Sequence, residues 1–206
     1  MLSKAGCLLL ATVLALAAPH RTEGRTPRLR YGLEWGGSTT LVSTHHYNYL
    51  DNTLGFRIDD SGTDTHRWGN AFVCAYCGLD LLPRLALSLR SGLAGIAPDR
   101  RLVPLTLRLS WHPHGSCSDG LFLLGEGGLG FPDFLEDRPM VLAIAGGGYR
   151  LQLGEKSSLD LLLTARAVLD HPAIWDEEER HYIETQNVRR NDAVHYALCL
   201  SLGLNF

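Results

Sequence analysis

The last fourteen residues, Ala193 to Phe206, alternate between two faces. Stepping back by twos from Phe206 gives Leu204, Leu202, Leu200, Leu198, Tyr196 and Val194. The other parity gives Asn205, Gly203, Ser201, Cys199, Ala197, His195 and Ala193. Period two is the signature of a β-strand. A strand this long exceeds the globular norm of about 5–6 residues and suits a tilted membrane crossing of roughly 9–11 residues. Seven earlier segments repeat the pattern. Tyr31, Leu33 and Trp35 oppose Gly32, Glu34 and Gly36. Val73, Ala75, Cys77 and Leu79 oppose Phe72, Cys74 and Tyr76. Leu85, Leu87, Leu89 and Leu93 oppose Ser88, Arg90 and Gly92. Val103, Leu105, Leu107, Leu109 and Trp111 oppose Thr106, Arg108 and Ser110. Leu121, Leu123, Leu129 and Phe131 oppose Phe122, Glu126 and Gly128. Val141, Ala143, Ala145, Tyr149, Leu151 and Leu153 oppose Arg150 and Gln152. Leu159, Leu161, Leu163, Ala165 and Leu169 oppose Asp160, Thr164 and Arg166. The pattern predicts an all-β fold: an eight-stranded antiparallel transmembrane up-and-down β-barrel over residues 31–206, with strand 1 closing on strand 8.

The connections alternate too. Asp80 to Arg84, His112 to Gly120 and Gly154 to Ser158 are compact and rich in turn formers. Val42 to Gly69 and His171 to Asp192 are long and polar and read as outward loops; Ala97 to Arg101 and Phe131 to Pro139 join them on that side. Short periplasmic turns facing longer extracellular loops are the habit of transmembrane barrels, and the even count returns both termini to the periplasm. A soluble lipocalin-like barrel is the alternative, and it demands the reverse polarity, with bulky apolar side chains inside. Here the charges share a face with Gly and Ser while Leu dominates the other.

Residues 1–18 read as a signal peptide: Lys4, an apolar run around Leu8-Leu9-Leu10, and Ala15-Leu16-Ala17 as a cleavage site. Residues 19–30 read as a basic periplasmic tether. The formal charge of -3 gives no nucleic-acid footprint.

Polarity assigns Glu34, Arg90, Arg108, Glu126, Arg150, Asp160 and Arg166 to the lumen as a charge network. Eight strands leave a lumen only wide enough for side chains, so these charges are expected to pair and, with Tyr76, Phe122 and Leu162, to plug it. Tyr31, Trp35, Trp111, Tyr149 and Tyr196 fall on the apolar parity as interface aromatics. Cys74 and Cys77, three apart in a strand, point to opposite faces, which excludes a metal or redox pair. Cys117 falls in a turn and Cys199 in the lumen. His45-His46, His112-Pro113-His114 and the acidic run from Asp176 read as solvated loop residues rather than metal ligands. The glycines at 125–130 and 146–148 lack the Lys-Ser/Thr and helix of a phosphate loop and read as strand residues. No catalytic, cofactor or metal residues are assigned.

With these residues in place, the chain resembles the small OmpA/OmpX-type outer-membrane barrels. More narrowly, Tyr31-Gly32-Leu33-Glu34-Trp35-Gly36, Tyr149-Arg150-Leu151-Gln152-Leu153-Gly154 and Arg189-Arg190-Asn191-Asp192 resemble porin-family barrel domains of Bacteroidetes-type bacteria. The resemblance implies the outer membrane of a Gram-negative cell and outer-membrane lipid as surroundings. It also implies insertion by the barrel-assembly machinery, with Phe206 as the assembly signal. It supplies no catalytic residues. The expectation is a non-enzymatic barrel with a structural or surface-interaction role, meeting an extracellular partner at 42–69 and 171–192. The alternatives are a small lipid-modifying outer-membrane enzyme, which needs a His with Ser, Asp or Glu at the rim, and a narrow pore.

Overall fold

The computed structural model describes residues 28–50, 55–97, 100–132, 138–154, 157–176 and 181–206. The expected leader and most of the tether lie outside them, as does most of the acidic run from Asp176. Eight long strands form the barrel: β1 (Leu29–Leu50), β2 (Arg57–Leu82), β3 (Leu85–Ala97), β4 (Arg100–Trp111), β5 (Gly120–Pro132), β6 (Met140–Gln152), β7 (Ser158–Asp170) and β10 (Val188–Asn205). A small pair, β8 (Trp175–Asp176) and β9 (His181–Tyr182), sits between β7 and β10. Each long strand pairs antiparallel with its sequence neighbour, and β1 closes on β10 from Gly32↔Asn205 to Tyr49↔Val188. The seam is finished by the Phe206 N–H donating to the Tyr31 carbonyl (2.9 Å) and by stacking of the two rings at 5.8 Å.

Closure leaves none of the long strands as a free edge along the wall, but it also fixes two environments. The Leu parity faces out: Leu107 is 55% exposed, Leu123 58%, Leu163 55% and Leu200 59%. Glu34, Arg90, Arg108, Glu126, Arg150, Asp160 and Arg166 face in and are all buried. A water-soluble barrel cannot tolerate this arrangement, because the apolar area belongs in a solvent that does not penalise it. The barrel is therefore of the transmembrane kind. Tyr31, Trp111, Tyr149 and Phe206 stand on the outer face near the end where the tight turns lie; Trp35 is further along β1, and Tyr196 nears the opposite end.

Two expectations need correction. Val42 to Gly69 is not a loop: β1 runs to Leu50 and β2 starts at Arg57. Both strands continue past the barrel wall, because β2 pairs with β3 only from Phe72↔Ala94 onward. Apolar alternation stops there, which hides the strands. What carries them is the β-propensity of Thr44, Tyr47, Tyr49, Ile58, Thr63 and Thr65. Likewise, residues 171–192 are not one loop: they hold β8, β9, a short 3-10 turn (Thr185–Asn187) and the first residues of β10. The result is a three-stranded ribbon, β2–β1–β10, projecting from the loop end. Its outer edge on β2 carries Arg57, Asp59, Asp60, Asp64 and Arg67, charges that discourage pairing with another chain.

At Leu41 the ladder slips: Thr40 pairs with Ala197 and Val42 with the adjacent Tyr196. This bulge reverses the parity of β1, so that Thr40 and Ser43 both face inward while Leu41 faces out.

Candidate functional site: the lumen and its outer mouth

The inward positions form layers. In the central layer, Arg108 and Glu126 are direct cross-strand partners, as are Arg90 and Thr106. Glu34 reaches them from β1 across the barrel. Arg108 bridges both carboxylates, Nη1 to Glu34 Oε2 at 2.7 Å and Nε to Glu126 Oε2 at 2.9 Å. Arg90 does the same from the other side, at 3.0 Å to Glu126 and 3.4 Å to Glu34. The Thr106 hydroxyl donates to Glu126, and the Ser201 hydroxyl donates to Glu34 at 3.0 Å. Two carboxylates and two guanidiniums thus neutralise one another out of water, the condition under which buried charges persist.

Nearer the turns, Arg150 grips Asp160, its cross-strand partner, through two hydrogen bonds of 2.7 and 2.6 Å. Arg150 lies over the Phe122 ring at 5.5 Å, and His112 stacks with the same ring at 4.9 Å. Gly148 makes room: a Cβ there would come within 2.8 Å of that ring. The Tyr76 hydroxyl donates to Asn205 at 2.6 Å. The turn from His112 to Asp119 folds over this end, where the Ser116 carbonyl accepts from Arg150 (2.8 Å) and Arg30 (2.5 Å), and Arg30 pairs with Asp80 at 3.0 Å. Burial here, reinforced by Arg150 and Arg30, drives the His112 pKa down to about 3. In the same turn partial burial opposes ionisation of Cys117, but the hydrogen bond from Arg28 (3.1 Å) and the charge of Arg30 outweigh it and lower its pKa.

Above the central layer lies an apolar one of Phe72, Ile96, Leu102, Met140, Leu142 and Val168. The described lumen contains small spaces of about 10 Å³ and about 40 Å³. Arg108 borders both, and neither is larger than a water or a few waters.

Beyond the apolar layer, at the loop end, four side chains meet that the sequence reading did not bring together. Asp170 accepts from Arg100 Nη2 (2.7 Å) and Nε (3.2 Å) and from the His171 N–H (2.7 Å). His195 Nε2 lies 3.7 Å from Asp170, and His195 Nδ1 is 2.8 Å from the Ser43 hydroxyl. Ser43 and His195 are direct cross-strand partners. Asp170 continues the inward parity of Asp160 to Arg166 and was readable on that ground. Ser43 was not, because the Leu41 bulge inverts its parity.

Of the seven lumen charges expected from sequence, four form the central network, Arg150 and Asp160 form a separate pair, and Arg166 joins neither. Arg166 Nη2 donates to Ser38 (3.1 Å) and to the Gly95 carbonyl (2.8 Å), both neutral. The interface aromatics gather at no site. Cys74 is buried and Cys77 exposed on opposite faces, so they make no pair. His45 instead contacts Asp60 (3.4 Å) and Asp64 (3.5 Å), and His46 contacts Asp59 (2.9 Å), within the projecting ribbon.

No family model matches the chain, and no curated protein matches it, so the narrower likeness to Bacteroidetes porin-family domains gains no support there. Among solved structures the chain is similar to the outer membrane protein OprG from Pseudomonas aeruginosa, at 10% identity over 87% of this chain and 97% of that one, TM-score 0.46. It is also similar to the outer membrane protease OmpT from Escherichia coli, at 9% identity over 90% of this chain and 99% of that one, TM-score 0.39. The barrel assignment itself rests on the closed strand ladder and the exposed leucine belt.

Proposed function

We propose that this chain is a non-enzymatic outer-membrane barrel of a Gram-negative envelope, a structural anchor that presents the β2–β1–β10 ribbon outside the cell. The observation that carries this reading is the contrast between the two ends. The lumen is filled by its own layered side chains, and the turn end is capped by the segment from His112 to Asp119, so the elaborated surface is the ribbon and the β8–β9 pair. Short turns on the side of the β1 start and β10 end favour periplasmic termini. Phe206, stacked on Tyr31 at the seam beside the end of β10, is the aromatic that the barrel-assembly machinery would engage.

A second reading is favoured by one observation, the Ser43–His195–Asp170 line at the mouth. With His195 Nε2–H directed at Asp170, Nδ1 is left to accept the Ser43 proton, the arrangement of an acyl-transfer nucleophile. Ser43 would attack an ester carbonyl of a lipid, His195 would pass the proton to the departing alcohol, and water would release the acyl group. The structural role ranks first because Ser43 is buried and Asp170 is already held by Arg100.

One complementation experiment separates the two. A deletion strain receives the intact chain, a chain with the ribbon beyond Thr44 and Thr63 trimmed, or Ser43→Ala, and is scored for detergent sensitivity. The first reading expects Ser43→Ala to restore the envelope and the trimmed chain to fail. Rescue by the trimmed chain together with failure of Ser43→Ala, and labelling of Ser43 by a fluorophosphonate, would overturn it in favour of the hydrolase.

A further inference from the structure

We infer that the lumen holds one small monovalent anion, a halide such as chloride, in the cavity between Arg166 and Arg90. The charges require it. Arg150 is spent on Asp160, and Glu34 and Glu126 are shared between Arg90 and Arg108. Among the described residues one buried cation is left over. It is Arg166, which is 5% exposed and forms no ion pair with any described carboxylate.

An isolated buried charge is costly enough that a protein normally pairs or neutralises it. Arginine cannot take the second route, since it keeps its proton. The geometry supplies the first. Arg166 Nε and Arg90 Nε are both buried donors without a partner among the described residues. Both arginines border the same space of about 10 Å³, together with Arg108, Thr164, Cys199 and the carboxylate of Glu34, which Arg90 and Arg108 already neutralise. A water there would satisfy donors but leave the charge. A space of about this size holds roughly one particle near the size of a water, which excludes phosphate, sulfate or a carboxylate ligand; a halide, somewhat larger than water, fits with a slight outward shift of the lining side chains. The anion is a structural counter-ion enclosed during folding, distinct from any conduction path, and the inference does not depend on which reading of the function holds.

The test is refolding of the full chain from urea into detergent micelles in sodium chloride or sodium gluconate at equal ionic strength. The expected result is a denaturation midpoint that rises with chloride and not with gluconate, as for any ligand that binds only the folded state. In crystals grown with bromide, an anomalous peak is expected beside the Arg166 and Arg90 guanidiniums. Cys199→Asp places a carboxylate on the cavity wall and should abolish the chloride dependence, as should Arg166→Gln. A wild-type midpoint indifferent to chloride, or a water in place of the bromide peak, overturns the inference. So does chloride dependence that persists in either variant. The wild-type titration and the bromide peak decide the matter even if both variants fail to fold.

Discussion

Glu126 accepts from three side chains at once: Arg108, Arg90 and Thr106 all donate to it, and its side chain has no solvent exposure. Glu126→Ala should cost about 3–5 kcal/mol, because two guanidiniums would be left buried with only Glu34 between them. Urea refolding midpoints in micelles measure this, and a loss below about 1 kcal/mol, the scale of an exposed pair, would mean water replaces the carboxylate. His112 acts through its proton. Its folded pKa is lowered, to about 3, because burial beside Arg150 and Arg30 disfavours the imidazolium. The unfolded chain takes up that proton near the ordinary histidine value of about 6.5. The unfolded state therefore binds more protons between these values, so the stabilisation is fully present above about pH 6.5 and drains away as pH falls towards 3. His112→Gln should flatten that acid limb, read as the pH dependence of the midpoint between pH 7 and 4; an unchanged slope would show that His112 titrates normally.

At the scale of the strand, parity decides everything, and it was legible wherever one face was apolar. Leu107 and Thr106 are adjacent on β4, yet Leu107 is 55% exposed on the outer face and Thr106 is buried against Glu126. Leu107→Arg should cost about 2–4 kcal/mol if it lies at mid-bilayer, and Thr106→Ser very little, since the hydroxyl survives. Equal refolding midpoints for the two variants would contradict the orientation of β4. The same logic explains what the sequence hid. All eight barrel strands and the inward charges follow from alternation against leucine, but alternation says nothing once both faces are polar. The outer halves of β1 and β2 therefore read as a loop. The Leu41 bulge adds one residue and turns Ser43 inward, a shift no periodicity shows. The pairing of particular charges was only partly readable. Opposite charges on neighbouring strands, such as Arg150 and Asp160, depend on a register fixed by turn length. Glu34 reaches Arg108 across the lumen, and Arg166 is stranded by the same three-dimensional facts.

For the whole molecule the question is whether ions pass. Along β7 the inward residues run Asp160, Leu162, Thr164, Arg166, Val168 and Asp170, so charged, hydroxyl and apolar layers succeed one another from the turns to the mouth. An ion moving along this axis meets the His112–Asp119 segment, then the Arg150–Asp160 pair, then four interlocked charges, then Ile96, Leu102, Met140 and Val168, each at most 1% exposed. The apolar layer has no group to replace an ion's hydration shell, and the spaces on its turn side, around the charge network, are too small to carry the shell along. The protein should therefore give no steady open level in planar bilayers. Removing charge should not create selectivity, because there is no water column for a charge to select in. Arg108→Gln should lower the refolding midpoint while leaving conductance at baseline. Truncating the apolar layer is the change that could open a path: Met140→Ala together with Leu102→Ala removes two of its largest fully buried side chains. Brief openings from that double variant, with a silent wild type, are the expected recordings. A large, steady conductance from folded wild-type protein would show that the layers move apart in a membrane and would make the barrel a pore.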